Sequence, residues 1–217
     1  MPSSVCEGDV SNRCFPYFSA QEIWVGTVPA IAVRVSYVGE LGWELYTPTE
    51  YGQMMWDLLW DSGRSWSVFP LGGGAFNSLR VEKGYRMWGA DFHTDYNPWE
   101  VGSGWAVKLE KRDFVGRNAL VDLAQGVPKR RLTCLTLNSP NTVVSGKEPV
   151  IKDDCVVGYV TSTDYGYSVG KHIAYAYLPM EHFSPGTALE IEYFGDPIPA
   201  TVSDEPLFDP DRMRLTN

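Results

Sequence analysis

The sequence predicts an α+β chain in which a mixed region of strands and helices precedes a small barrel or sandwich of short strands. Three observations predict it. Apolar and polar residues alternate within Pro29 to Tyr46, apolar residues recur at helical spacing in two stretches between Thr49 and Gly84, and from Leu132 onward short β-rich segments recur with almost no helical pattern between them.

Pro29 to Tyr46 reads as a β-hairpin, with strands over Ile31 to Tyr37 and Trp43 to Tyr46 joined through Gly39, Glu40, Leu41 and Gly42. In the first strand Ile31, Val33 and Val35 alternate with Ala32, Arg34 and Ser36, so one face is apolar and the Arg34 face is expected to be wet or paired. Thr49 to Gly63 opens on an N-capping threonine, places Met54, Met55, Leu58 and Leu59 at helical spacing and stops at a glycine, so it reads as a helix. A second helix starts in Gly72, Gly73 and Gly74 and runs through Ala75, Phe76, Leu79 and Val81 to Gly84; glycines at a helix start let the backbone come close to a neighbour. Met87 to Trp105 reads as a long ordered loop, and Asp113 to Leu123 as a short helix ending near Gly126 and Pro128. Beyond Lys129, Arg130 and Arg131 the short strands are parted by turns at Asn138 to Asn141, Lys152 to Asp154, Asp164 to Gly170, Ser184 to Gly186 and Gly195 to Pro197. The change of pattern puts a domain boundary at Gly126, giving domains 1–126 and 127–217.

The chain has 217 residues, 44% apolar and 21% charged, enough to bury a core. Its net charge of −9 argues against nucleic acid or an anionic membrane surface as partner. No apolar run approaches the roughly 20 residues that cross a bilayer, and the acidic start lacks the pattern of a secretory leader, so a cytoplasmic location is expected. Cys6, Cys14, Cys134 and Cys155 are far apart, with no CxxC pair and no histidine at metal spacing; reduced thiols are expected, and no metal.

Within the hairpin, Glu40 sits in the turn and is expected to be solvated. Glu44 lies among Trp43, Leu45 and Tyr46, so its carboxylate either points to water from the open face of the strand or accepts hydrogen bonds from a ligand. Arg80, Glu82, Lys83 and Arg86 read as a charge-laced helix surface with Glu82 and Arg86 paired four residues apart. His93, His172 and His182 have no neighbours that suggest a triad. Hydrolase, phosphate-loop and dinucleotide fingerprints are missing from the sequence.

The strings RVSYVGELGWELY, NSLRVEKGYRMWGAD, NPWEVG, KRRLTCLTL and EPLFDPDRMRL, in that order, resemble the aminomethyltransferase (glycine cleavage T-protein) family, and within it the folate-binding C-terminal portion of dimethylglycine and sarcosine dehydrogenases. The resemblance runs from about Asp9 to about Arg214. It implies part of a folate-binding α+β domain followed by a C-terminal β-barrel, and it implies tetrahydrofolate as cofactor. The implied reaction is one-carbon transfer from an iminium derived from an N-methyl amine, giving 5,10-methylenetetrahydrofolate. FAD is implied only where an N-terminal oxidoreductase domain is present elsewhere.

By the same resemblance Glu44 falls on the carboxylate that pairs with the pteridine ring, accepting two parallel N–H bonds from its 2-amino group and N3 as it would from a guanidinium. Tyr37 falls on an aromatic of that pocket. Phe76 stands where the T-protein has the arginine that meets the folate glutamate tail, an apolar replacement common in the dehydrogenase branch; Arg80 does not inherit that role. The family's catalytic aspartate falls before the first residue of this sequence, so no catalytic residue is assigned. The chain alone is expected to be incomplete as an enzyme, with tetrahydrofolate protecting it thermally only when the N-terminal half is supplied. Folate, the missing N-terminal half, a partner subunit or a second copy are the implied partners, because strands such as Ile31 to Tyr37 would lose neighbours and expose apolar surface. A non-catalytic folate-binding or assembly module and a folate-dependent demethylase of another methyl donor are the alternatives.

Overall fold

Strand pairing begins upstream of the predicted hairpin. The computed structural model describes residues 5–138 and 142–216, so of the predicted turn at Asn138 to Asn141 residues 139–141 lie outside the described residues. Four antiparallel strands, β1 (Cys6–Glu7), β2 (Ala20–Val25), β3 (Val28–Val33) and β4 (Glu44–Tyr46), form a sheet in that order. A two-residue turn joins β2 to β3, and Gly26 takes its positive φ of 57° without a Cβ penalty. The strand expected to lose neighbours is thus an inner one: β3 pairs with β2 on one side and β4 on the other.

The helix α1 (Gly52–Gly63) follows a 3-10 turn at Thr49–Tyr51, with no side-chain cap on either. Met55 with the partly buried Leu58 and Leu59 packs in the same apolar cluster as Ile23, Val25, Val28, Ala30 and Ala32. This reverses the expected orientation of β3. Ala32 and Arg34 are buried, while Ile31 is 49% exposed. The small alanine side chains let the helix-side cluster pack closely, and the buried Arg34 is engaged at both terminal nitrogens, though its Nε is without a partner: Nη1 donates to Phe15 O at 2.5 Å, Nη2 donates to Asn12 Oδ1, and the guanidinium lies 5.6 Å from the Trp43 ring centre. A buried cation tying the segment before β2 to the sheet replaces the wet arginine the alternation suggested.

Two compact units emerge, Met1–Phe76 with Asp209–Asn217, and Asn77–Phe208, and the division falls within α2 (Gly73–Glu82). In the second unit the predicted loop carries α3 (Pro98–Val101), started by a capping box in which Asn97 and Glu100 satisfy each other's backbone N–H groups. The next helix is α4 (Arg117–Gln125). Six strands then close into an antiparallel barrel: β5 (Arg130–Leu137), β6 (Pro149–Lys152), β7 (Cys155–Gly166), β8 (Lys171–Pro179), β9 (Ala188–Tyr193) and β10 (Asp196–Val202), in the order β10-β5-β8-β7-β6-β9. A four-residue helix, α5 (Met213–Thr216), follows. Among the described residues no helix is long and apolar enough to cross a membrane.

Leu135, Leu137, Val150, Val160, Ala174, Ala176, Ile191, Ala200 and Val202 fill the barrel. The opposite face of β5 and β8, with Leu132, Cys134, Ile173, Tyr175 and Tyr177, forms a second cluster with Val81 of α2. β5 and β8 are thus buried on both faces, which is why apolar residues occur on both sides of each strand. Gly158 marks a close approach in β7, since a Cβ there would lie 2.0 Å from the carbonyl oxygen of Tyr177.

The charge-laced helix surface is also corrected. Arg80, Glu82 and Lys83 are buried. Arg80 Nη1 donates to Asp91 Oδ2 at 2.6 Å and to Tyr85 O at 3.1 Å, Nη2 to Ser162 Oγ at 2.8 Å, and Nε to Asn77 Oδ1 at 2.9 Å. Asp91 in turn accepts from Thr161 Oγ1 at 2.6 Å and Met87 N at 2.8 Å. Glu82 does not pair with Arg86: its Oε1 accepts from the backbone N–H of Ser168 at 2.6 Å, whereas Arg86 pairs with Glu205 at 2.5 Å. Helical spacing brought Glu82 and Arg86 together only on paper, because the helix ends at Glu82 and the chain turns through Gly84.

Asp91→Ala would leave the Arg80 charge buried without its counter-ion, and we expect a loss of about 3–5 kcal/mol in urea unfolding; a loss below about 1 kcal/mol would contradict this account. Burial pushes the Cys134 thiol up to about 12, and Cys6 is buried as well, whereas Cys14 and Cys155 are exposed. A thiol reagent at pH 8 should therefore modify Cys155 first, then Cys14, whose thiol is held up by its hydrogen bond to Asp9, and reach Cys6 and Cys134 only in denaturant.

Candidate functional site

The pleat of β4 turns Glu44 and Tyr46 to one face and Leu45 to the other. Antiparallel register sets Glu44 opposite Val33 and Tyr46 opposite Ile31, and Ile31 opposite Glu22. Directly opposed residues share a face, so Glu44, Tyr46, Ile31, Glu22 and Trp24 stand on the side of the sheet away from α1. Trp24, Ile31 and Tyr46 are about half exposed there, at 50%, 49% and 56%. They border a shallow cavity of about 440 Å³ with Glu22, Pro29 and Pro48. On the other face, Leu45 lines a separate apolar cavity of about 410 Å³ with Trp43, Trp56, Trp60 and Phe69; the alternation of β4 points Glu44 away from it.

Glu44 is exposed, which selects the open-face arrangement of its carboxylate. Tyr46 Oη donates to Glu44 Oε2 at 2.5 Å. The bond and the negative charge of Glu44 push the Tyr46 phenol above its ordinary range, since losing the phenol proton would lose the bond and set two anions side by side. A carboxylate offers about four lone-pair sites, so Tyr46 occupies one and leaves Oε1 and the remainder of Oε2 able to accept further N–H or O–H donors.

Tyr37 and Phe76 are brought together, with ring centres 5.3 Å apart and planes inclined by 30°. Tyr37 is partly buried in the segment between β3 and β4, and Phe76, in the first turn of α2, is 40% exposed. The three residues singled out in the sequence thus supply an outward carboxylate and a tilted ring pair. Glu40 is partly exposed, 3.9 Å from Arg214. Sequence reasoning missed Tyr46 as the partner of Glu44. The signal was present in the two-residue spacing Glu44-Leu45-Tyr46, which on any strand puts the acid and the phenol on one face.

Similarity to known proteins extends over most of the chain. Residues 2–111 match the family model of the GCVT N-terminal domain, and residues 130–209 that of the glycine cleavage T-protein C-terminal barrel domain. Mitochondrial dimethylglycine dehydrogenase of Rattus norvegicus is 38% identical over 210 residues, covering 95% of this chain and 24% of that protein. The aminomethyltransferase of Symbiobacterium thermophilum is 33% identical over 203 residues, covering 93% of this chain and 54% of its own. Among solved structures, the glycine cleavage system aminomethyltransferase T of Bartonella henselae superimposes with a TM-score of 0.79 at 27% identity, covering 89% of this chain and 53% of that one. The chain therefore spans about a quarter of the dehydrogenase and about half of each aminomethyltransferase. With one family model covering its first half and a second covering the closed barrel, the chain belongs to the glycine cleavage T-protein (aminomethyltransferase) family.

Proposed function

We propose that the open face of β3 and β4, with the Tyr37–Phe76 ring pair, is one wall of a tetrahydrofolate site in an enzyme that transfers a one-carbon unit from an N-methyl amine to folate, giving 5,10-methylenetetrahydrofolate. The observation that carries the reading is Glu44, an outward carboxylate fixed on a paired strand in a chain of this family. The donor set fits the group: Glu44 can accept the parallel N–H bonds of a pteridine edge, and Tyr37 and Phe76 offer ring faces for flat apolar contact. When bound, tetrahydrofolate supplies the nitrogens that take up the one-carbon unit.

The contribution of this chain is binding and orientation. Sheet pairing fixes the backbone beneath Glu44, so this position gives up less backbone freedom on meeting a ligand than one on a loop, and orients the heterocycle at smaller entropic cost. We assign no proton-transfer role to a residue of this chain. An opposing wall carried by further polypeptide would exclude water and strengthen the carboxylate's bonds by lowering the local dielectric. We also read 1–126 as the latter part of the folate-binding domain and 127–217 as the barrel domain.

Calorimetry and thermal unfolding with tetrahydrofolate, kept anaerobic, test the reading on the chain alone and on the chain combined with the N-terminal half of an aminomethyltransferase domain. Binding is expected to be weak in the first and protective in the second, by roughly 5–10 °C at about 100 times Kd. Glu44→Ala should abolish the protection. Unchanged binding in Glu44→Ala, or no binding in either preparation, would overturn it.

A further inference from the structure

Resting on the tetrahydrofolate reading of this face, we propose that Tyr46 is a positioning residue, whose hydroxyl fixes Glu44 Oε2 so that the carboxylate presents its remaining acceptor sites to the donor edge of the heterocycle. Two residues apart on β4, both side chains leave the same face, and the 2.5 Å bond joins the phenol oxygen to one carboxylate oxygen only. The backbone beneath them is held by register, with Tyr46 opposite Ile31 and Glu44 opposite Val33. The side chain of Glu44 has three rotatable bonds and no burial to restrain it, so a directional bond from a neighbour on the same strand is what selects one orientation. Tyr46 suits the task because its own ring turns about only two side-chain bonds and lies beside Ile31 and Pro48 at the cavity. Its phenol, protonated through the neutral range as any tyrosine is, is the donor to Glu44, and the bond and charge of Glu44 shift its ionisation further upward.

The geometry assigns specificity as well as order. A carboxylate with one oxygen already serving as acceptor for Tyr46 cannot rotate freely to follow a cation, but it can meet a rigid pair of N–H groups approaching in its own plane. Tyr46 therefore favours the pteridine edge and has no part in binding the aminobenzoyl-glutamate tail.

The test has a ligand-free arm and a ligand arm on wild type, Tyr46→Phe, Glu44→Gln and the double variant. With ring-labelled tyrosine followed by NMR, Glu44→Gln should bring the Tyr46 phenol down toward the ordinary value of about 10; identical Tyr46 titration in wild type and Glu44→Gln would mean that the bond is not formed, and would sink the proposal. In the preparation that binds tetrahydrofolate, Tyr46→Phe keeps the ring and should weaken binding about tenfold, while leaving the affinity for p-aminobenzoylglutamate, which lacks the pteridine edge, unchanged. Because Tyr46 acts through Glu44, the double variant should bind no worse than Glu44→Gln alone. Equal weakening of both probes, full additivity of the two substitutions, or unchanged tetrahydrofolate binding in Tyr46→Phe would each overturn the positioning role while leaving the tetrahydrofolate reading standing; absence of tetrahydrofolate binding in wild type would remove both.

Discussion

The buried guanidinium of Arg80 organises the larger compact unit. Four groups from four places in the chain meet it: Asn77 one turn earlier in α2, the Tyr85 carbonyl beyond the helix end, Asp91 in the following loop and Ser162 on β7. A charge taken out of water is tolerated only when its donors are matched nearly one for one, so this residue fixes the approach of α2, the turn at 83–87 and the barrel wall together. Asp91 extends the same network to Thr161 and the Met87 amide. Glu82, two residues on, ties the helix to the loop after β7 through the Ser168 amide. The result is a helix whose charged side chains serve the interior, and whose apolar Val81 seals the outer face of β5 and β8.

A second device holds the segment 93–100 on the barrel. Tyr96 stacks on Tyr177 with ring centres 4.3 Å apart, and the Arg130 guanidinium lies 4.6 Å from the Tyr96 ring while its Nε donates to Glu100 at 3.1 Å. Burial is the first cause that pushes the Tyr159 phenol, bonded to Tyr96 Oη, up to about 12. Both devices are frameworks in which most polar groups engage one another: Arg80 is met by four acceptors, and of the Glu82 carboxylate one oxygen accepts from the Ser168 amide while Oε2 is buried without a partner. On the open face of the small sheet the Glu44 carboxylate is accessible and bonded to Tyr46, and Trp24, Ile31 and Tyr46 lie half exposed on the same face.

How far the sequence reached depends on the range of the interactions involved. Helices with strong periodicity and glycine stops were legible: Thr49 to Gly63 and Gly72 to Gly84 match α1 with its 3-10 entry and α2 within a few residues. So was the train of short strands beyond Arg131. Strands β1 and β2 went unread because AQEIWV has little alternation of its own and becomes a strand by pairing with β3. The facing of β3 was misjudged for a related reason. Hydrophobic pattern favoured Ile31, Val33 and Val35 as the buried set, but α1 packs on the alanine side, and the arginine on that side found its partners in Phe15 and Asn12, about twenty residues away.

For the site, the sequence identified Glu44 as a carboxylate in an apolar strand, and the resemblance attached Tyr37 and Phe76 to it. By itself, then, the sequence determined most element types, the α+β class and the passage to an all-β second part, because these follow from local periodicity and composition. Only the tertiary structure decided which face of β3 looks outward, that Arg80 and Glu82 are interior, and that the six strands close into a barrel. Those outcomes rest on pairing and burial between residues far apart in the chain or on the packing of one face, and no local pattern encodes them.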